Sequence, residues 1–213
     1  MSDMLDELFK KYKKSPITMS LILICIVIYI ISFILYGEEM NASEAISLGA
    51  YNPMYVYFGH QYWRLLTSNF IHFGILHIVV NCYSLYGIGG FIESVLKVKK
   101  YIIVLFVSAL FTTGVPYILF LMNGFESYSV SAGISGVIFG LIGSLGALAI
   151  RYRNIFLDIF RQLAPNVIFM LLISFLVPSI SLSGHLCGLI GGFIGTNLVL
   201  LIKKKDHSKH FIN

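Results

Sequence analysis

Charged residues are scarce in this chain of 213 residues: only 12% are Asp, Glu, Lys or Arg, whereas 57% are apolar. A soluble globular domain carries about twice that charged fraction, so the composition excludes a soluble enzyme or binding domain. It is typical of a polytopic membrane protein. The net charge of +5 does not form a basic patch interleaved with aromatic residues, so we expect no nucleic-acid partner.

Cysteine and metal-binding motifs are equally sparse. The three cysteines, Cys25, Cys82 and Cys187, all lie in apolar runs, which disfavours a disulfide framework and a clustered zinc site. No His-Glu-x-x-His segment is present, and no pair of aspartates lies within an apolar run. A zinc protease and an aspartyl protease of the membrane are therefore both disfavoured. We expect no metal and no other cofactor.

Six apolar runs have about the length, 20 residues, that a helix needs to cross a hydrocarbon core of about 30 Å. They are Ile17–Tyr36, Phe70–Ile92, Tyr101–Met122, Ser131–Ile150, Leu163–Pro178 and Gly184–Ile202. We therefore predict an all-α bundle of six transmembrane helices at residues 16–203, between a cytosolic N-terminal arm (1–15) and a cytosolic tail (204–213). The first run lacks a small-residue cleavage site and is predicted to be an anchor, not a signal peptide.

The long first connection, residues 37–69, is rich in aromatic residues and contains the single tryptophan, Trp63. Amphipathic rings favour the membrane interface, so we place this loop, with His60 and the nearby His72, on the outer surface. Of the 15 Lys and Arg residues, 14 fall on the side of the two termini and only Arg64 on the other. The positive-inside rule then places both termini in the cytosol. The compact six-span form, without a transit peptide, suits a bacterial plasma membrane.

Among the polar side chains within the apolar spans, four lie at a similar depth. His77 and Asn81 lie one helical turn apart in span two, Ser135 lies in span four, and His185 lies in span six. Counted from the cytosolic charges at about 1.5 Å per residue, all four lie about 24 to 30 Å away, in the outer third of the membrane. Polar groups at such depth are costly and tend to be functional. Their common level predicts one site that opens to the outer face.

The residue types in this site indicate nucleophilic catalysis. A serine hydroxyl attacks a carbonyl when a histidine takes its proton, so Ser135 and His185 are a candidate nucleophile and base. No carboxylate lies at this depth, which predicts a dyad. The oxyanion would need fixed donors, which the Ser135 amide near a helix start and the side chains of His77 and Asn81 can supply. Glycines along spans four and six would let the two helices approach closely enough for the Ser135–His185 hydrogen bond.

Four motifs occur in chain order: Trp63-Arg64, His77-x-x-x-Asn81, Gly133-Ile-Ser135-Gly136 and His185-x-x-Gly188-x-x-x-Gly192. Together they resemble the rhomboid family of intramembrane serine proteases over essentially the whole chain. The resemblance implies that Ser135 is the nucleophile and His185 the general base. It also implies an oxyanion hole formed by His77, Asn81 and the Ser135 amide.

The resemblance further implies structural support from Trp63 and Arg64 in the first outer loop and from Glu93 at the end of span two. Phe139 stands where the family commonly has tyrosine, so it can stack on His185 but carries no hydroxyl. Substrates would be transmembrane segments of other membrane proteins, which enter from the bilayer past span five. The segment Val177–Ser183 would cap the site.

Two other functions stay open at this point. A non-proteolytic rhomboid relative would bind transmembrane helices, although such relatives usually lack the serine or the histidine. A small transporter would need a polar path that continues toward the cytosol. Below the predicted site, spans four and six carry no charged residue and no histidine until the cytosolic edge, which disfavours such a path.

Overall fold

The computed structural model describes residues 14–123, 130–176 and 180–201. Its α-helices are α1 (Pro16–Tyr36), α2 (Ala42–Leu48), α3 (Pro53–Tyr57), α4 (Arg64–Thr67), α5 (Ile75–Ser84), α6 (Gly90–Met122), α7 (Ser135–Arg151), α8 (Arg153–Leu176) and α9 (Leu182–Leu201). A 3-10 turn, Ser68–Phe70, follows α4, and a π-helical segment, Leu85–Gly89, joins α5 to α6. The described residues form no β-sheet, and the predicted all-α fold is confirmed. Most of the predicted N-terminal arm, the tail and residues 177–179 of the predicted cap lie outside the described residues.

Four helical segments of the described chain are long and apolar enough to cross a membrane: Pro16–Tyr36, Ile75–Met122, Arg153–Leu176 and Leu182–Leu201. The second has 48 residues, which at 1.5 Å per residue is about 72 Å, more than twice the thickness of the hydrocarbon core. Its backbone leaves the helical region at Lys97 (φ 64°, ψ 161°), which divides it in two. The apolar helix α7 is shorter, with 17 residues. The chain is a polytopic membrane protein.

Helix α7 lies at the centre of the bundle, and α8 lies at its edge. Thirteen of the 17 residues of α7 are buried, as expected for a helix that is apolar on all sides. Of the 24 residues of α8, only Phe156 and Ser174 are buried. Most of the surface of α8 is therefore available to lipid.

Glycines bring α7 and α9 into backbone contact. A Cβ atom at Gly188 would collide with the carbonyl oxygen of Gly136, and one at Gly192 would collide with that of Gly140. Any larger residue would force the two helices apart, because the obstructing atoms belong to the backbone. This is the close approach that the glycine spacing predicted.

Two predicted helix starts lie too early in the chain. Helix α7 begins at Ser135 and not at Ser131, because Gly133 has φ +119° and Ser131 instead forms a β-bridge with Tyr51. In the same way, the second span begins at Ile75 and not at Phe70, because a 3-10 turn occupies Ser68–Phe70 and Ile71 is extended.

Helix α8 begins at Arg153, ten residues before the predicted start of span five at Leu163. The extension is helical because its apolar residues recur at helical spacing and pack on the core: Phe156, Ile159, Phe160 and Leu163. Pro165 lies inside this helix, as membrane helices tolerate.

Arg64 organises the first long loop, residues 37–69. Its guanidinium Nη1 donates to the carbonyl oxygens of Ile46 at 2.6 Å and Ala50 at 3.0 Å, and its Nε donates to Gln61 Oε1 at 2.6 Å. The guanidinium carbon lies 4.6 Å from the ring centre of Trp63, which is itself half exposed. Burial lowers the pKa of Arg64 below its ordinary value, although a guanidinium remains charged at neutral pH.

Glu93 joins the start of α6 to the start of α1. Its side chain is 2% exposed, and its two carboxylate oxygens accept the backbone N–H groups of Ile17 at 2.9 Å and Thr18 at 2.8 Å. The first N–H groups of a helix have no partner within the helix, and the helix dipole favours a negative charge there. Glu93 therefore caps α1 from a neighbouring helix.

Candidate active site

Ser135 is the first residue of α7, at the point where the chain turns into the bundle. Gly133, two residues earlier, has a positive φ that side chains rarely adopt, and its N–H donates to the carbonyl oxygen of Ser68 at 2.9 Å. Ser135 is half-buried, and its N–H is among the helix-start groups that lack a partner within the helix. A hydroxyl and an amide donor without an intrahelical partner thus lie at the positive end of the central helix.

His185, in the first turn of α9, contacts this hydroxyl. Its Nε2 lies 2.8 Å from Ser135 Oγ, and the side chain is 7% exposed. The ring of Phe139, one turn into α7, stacks on the imidazole with ring centres 4.3 Å apart and an interplanar angle of 19°. Stacking of Phe139 on one face therefore fixes the plane of the imidazole, and Nε2, at the ring edge, contacts Ser135.

The other ring nitrogen of His185 contacts a residue that the sequence motifs did not single out. His185 Nδ1 lies 2.8 Å from Ser174 Oγ, and this hydroxyl in turn donates to the carbonyl oxygen of Met170 at 2.8 Å. A depth count over every serine in the apolar runs, not only over those in motifs, would have included Ser174. Its partner could not have been found this way, because the contact depends on how α8 packs.

His77 and Asn81 face the loop that leads into α7. A Cβ atom at Gly133 would lie 2.8 Å from His77 Nε2 and 3.7 Å from Asn81 Nδ2. The Asn81 amide nitrogen is buried and has no hydrogen-bond partner among the described residues. The structure therefore brings both side chains to the turn that precedes α7, two residues before Ser135, and leaves the Asn81 donor free for an added acceptor.

Behind His77, the structure corrects one sequence-based assignment. His72, which we placed at the membrane interface, is fully buried, with its ring centre 5.0 Å from that of His77. Its Nε2 and the side-chain oxygens of Ser68 and Asn69 also lack partners in the described part of the chain. The ring therefore packs inside the protein and is not exposed at its surface, as a residue of an interfacial loop would be. Within the described ranges, no three His, Cys, Asp or Glu side chains are grouped as metal ligands.

Comparison with known proteins gives a consistent result. The family model of the Rhomboid domain matches residues 59–201, more than half of the chain. The chain is similar to Rhomboid protease GluP of Bacillus subtilis (strain 168), at 30% identity over 181 residues, which are 83% of this chain and 34% of that protein. It is also similar to Rhomboid protease GlpG of Yersinia pestis (strain Pestoides F), at 29% identity over 182 residues, or 84% of this chain and 61% of the relative.

The chain thus spans about a third of the length of one relative and about three fifths of the other. The matched part nevertheless contains all the helices from α4 to α9, and hence every side chain of the site described above. The all-α membrane fold, the extent of the domain match and the similarity to two rhomboid proteases lead to one conclusion: the chain belongs to the rhomboid family.

Proposed function

We propose that this protein is an intramembrane serine endopeptidase with Ser135 as nucleophile and His185 as general base. The observation that carries the proposal is the 2.8 Å contact between Ser135 Oγ and His185 Nε2 at the start of the central helix. A hydroxyl this close to an imidazole nitrogen can lose its proton as it attacks a carbonyl carbon. Membership of the rhomboid family supports the same chemistry.

In the proposed reaction, Ser135 Oγ attacks the carbonyl carbon of the scissile peptide, and its proton passes to His185 Nε2. The negative charge that develops on the carbonyl oxygen is stabilised by the Ser135 amide and by the side chains of His77 and Asn81. His185 then gives its proton to the leaving amine, and an acyl-enzyme remains on Ser135. Water, activated by the same histidine, releases the acid product. The unpartnered Asn81 amide supports its role as an oxyanion donor.

We further propose that the bundle crosses the membrane six times, with both termini in the cytosol and the dyad in the outer third. The break at Lys97 supports two spans within Ile75–Met122, and the apolar α7 supplies the remaining one. Substrates are then transmembrane segments, cut near the outer membrane surface. They should carry helix-weakening residues such as Gly or Pro, because a helical peptide bond is shielded by its own hydrogen bonds. Access past α8 is consistent with the few residues that this helix buries.

The remaining residues from the sequence motifs have supporting roles in this proposal. Phe139 holds the imidazole by stacking, and Gly188 and Gly192 allow α9 to approach α7. The glycines of the serine motif serve two purposes: Gly133 permits the turn into α7, and Gly136 accepts the close contact with α9. Arg64 with Trp63, and Glu93, hold the outer loop and α1 in place.

The proposal is tested with a transmembrane reporter substrate in liposomes. Ser135→Ala should lower cleavage by at least about 10⁴-fold, because the nucleophile is removed. Ser144→Ala is the matched control: Ser144 is a buried serine of the same helix, and its hydroxyl accepts from Thr196 at 2.6 Å, away from the dyad. Ser144→Ala should keep wild-type activity. Cleavage by Ser135→Ala at the wild-type rate would refute the proposal.

The same experiment separates the other two functions. A non-proteolytic helix-binding protein would retain the reporter without cutting it, and Ser135 would not react with a fluorophosphonate probe. A transporter would show solute flux in the same liposomes.

A further inference from the structure

Ser174 connects α8 to the catalytic dyad, and nothing in the sequence motifs accounts for it. We propose that Ser174 is a positioning residue, which holds His185 in the tautomer that can act as a base toward Ser135. The inference rests on the proposed serine-protease function and adds a third residue to it. It is carried by two contacts of the Ser174 hydroxyl, with Met170 and with His185.

The single proton of the Ser174 hydroxyl determines the tautomer. A serine hydroxyl has one proton to donate, while its oxygen can also accept. The Met170 carbonyl, 2.8 Å away, can only accept, and it takes this proton. The oxygen of Ser174 then presents a lone pair to His185 Nδ1 at 2.8 Å, and this arrangement favours hydrogen on Nδ1.

A neutral imidazole carries one N–H and one bare nitrogen. With the hydrogen on Nδ1, the bare nitrogen is Nε2, which lies 2.8 Å from Ser135 Oγ. This is the arrangement in which His185 can take the proton of Ser135. In the opposite tautomer, His185 would donate to Ser135 and could not remove its proton, so the contact with Ser174 selects the reactive form.

Ser174 also provides an acceptor for His185 when the imidazole is protonated during the reaction. When Nε2 takes the proton from Ser135, both ring nitrogens carry hydrogens, and each needs an acceptor. The ring is 7% exposed, so water has little access to it. Ser174 is the only acceptor that the described residues place in hydrogen-bond contact with Nδ1. No proton leaves Nδ1: the Ser135 proton moves to Nε2 and later to the leaving amine, while Ser174 keeps its own hydrogen bond to Met170 throughout.

The experiment compares Ser174→Ala, Ser174→Thr and a control in the full-length protein in detergent micelles. Ser174→Ala should lower both kcat and the rate of fluorophosphonate labelling of Ser135 by about 10- to 100-fold, the effect of losing one hydrogen bond to a charged group. KM should change little, because Ser174 does not touch the substrate. Ser174→Thr should restore activity, since a threonine hydroxyl can make the same bond to the carbonyl one turn earlier.

The matched control is Ser108→Ala. Ser108 is fully buried in a membrane helix, and its hydroxyl donates to the Val104 carbonyl at 2.7 Å, the same four-residue pattern as Ser174 to Met170. It does not contact His185. Ser108→Ala should therefore keep the wild-type labelling rate, which separates a positioning effect from the loss of any buried hydroxyl.

A second measurement reads the tautomer directly and does not depend on activity. In protein labelled with nitrogen-15 histidine, the ring-nitrogen shifts of His185, assigned by comparison with His185→Asn, should report hydrogen on Nδ1 in the wild type. In Ser174→Ala they should report a mixture of tautomers. Hydrogen on Nε2 in the wild type would overturn the inference even if Ser135 proves to be the nucleophile. An unchanged labelling rate in Ser174→Ala would overturn it as well. Failure of the probe to label wild-type Ser135 would instead count against the proposed function.

Discussion

The capping of α1 by Glu93 permits a quantitative prediction about stability. Two backbone N–H groups, those of Ile17 and Thr18, donate to its carboxylate at 2.9 and 2.8 Å. A hydrogen bond to a charged group contributes about 1.5–3 kcal/mol, so the pair contributes about 3–6 kcal/mol. In Glu93→Gln, one oxygen is replaced by an NH₂ group that would face an N–H donor. We expect this variant to lose about 2–4 kcal/mol of unfolding free energy.

The assay is reversible unfolding in mixed micelles with increasing denaturing detergent, compared between Glu93→Gln and Glu44→Gln. Glu44 is the matched control because its carboxylate also caps a helix start, accepting the Asn41 N–H at 2.8 Å, but at the exposed end of α2. Glutamine serves about as well as glutamate at that position of a capping box, so Glu44→Gln should cost less than about 1 kcal/mol.

The chemistry at Ser135 provides an internal check. Glu93 contacts α1 and none of the site residues, so Glu93→Gln should label with a fluorophosphonate at nearly the wild-type rate under conditions in which it stays folded. Equal unfolding free energies for Glu93→Gln and Glu44→Gln would refute the capping argument. So would a large loss of labelling in fully folded Glu93→Gln, because it would place Glu93 in the catalytic machinery.

Two further predictions concern helix contact and the outer loop. Gly192→Ala should reduce labelling of Ser135 by at least about 10-fold, because its Cβ atom would meet the Gly140 backbone and separate α7 from α9. Gly114→Ala, whose Cβ atom meets nothing within 4 Å, should label normally, and equal labelling of the two variants would contradict the contact. Arg64→Lys should lose about 1–3 kcal/mol, because one ammonium cannot replace the fork of donors that bonds to Ile46, Ala50 and Gln61. Limited proteolysis should then cut within residues 37–69 faster than in the wild type, and an unchanged rate would show that Arg64 does not hold the loop.

The helices and the Ser135–His185 pair were accessible from the sequence because each has a recognisable sequence signature. Apolar runs predict spans through their length alone, and His77 and Asn81 share a helix face through their spacing. The Ser135–His185 contact was predicted from similar depth and from the glycines that allow close packing. The structure places these two side chains 2.8 Å apart.

The features that were missed depend on packing or on backbone angles. Hydropathy does not reveal that Gly133 turns with a positive φ, so the start of α7 was placed four residues too early. The burial of His72 depends on tertiary packing, which hydropathy does not reveal. Ser174 gave no signal because serine is common in membrane helices, where its hydroxyl usually bonds to a carbonyl of its own helix. Only the position of α8 relative to His185 shows that the Ser174 hydroxyl has a second partner, His185 Nδ1.

For the proposed protease, the edge position of α8 has a consequence for the order of events in catalysis. In the C-terminal half of α8, Ser174 is the only buried side chain, so the residue that we propose to position the histidine also seats this helix. A transmembrane segment that pushes α8 aside to reach Ser135 thereby removes the acceptor from His185 Nδ1. Opening and reactivity would then exclude each other, and cleavage would wait until α8 returns behind the substrate. Such an interlock would favour segments that unwind and remain in the site over those that only pass by.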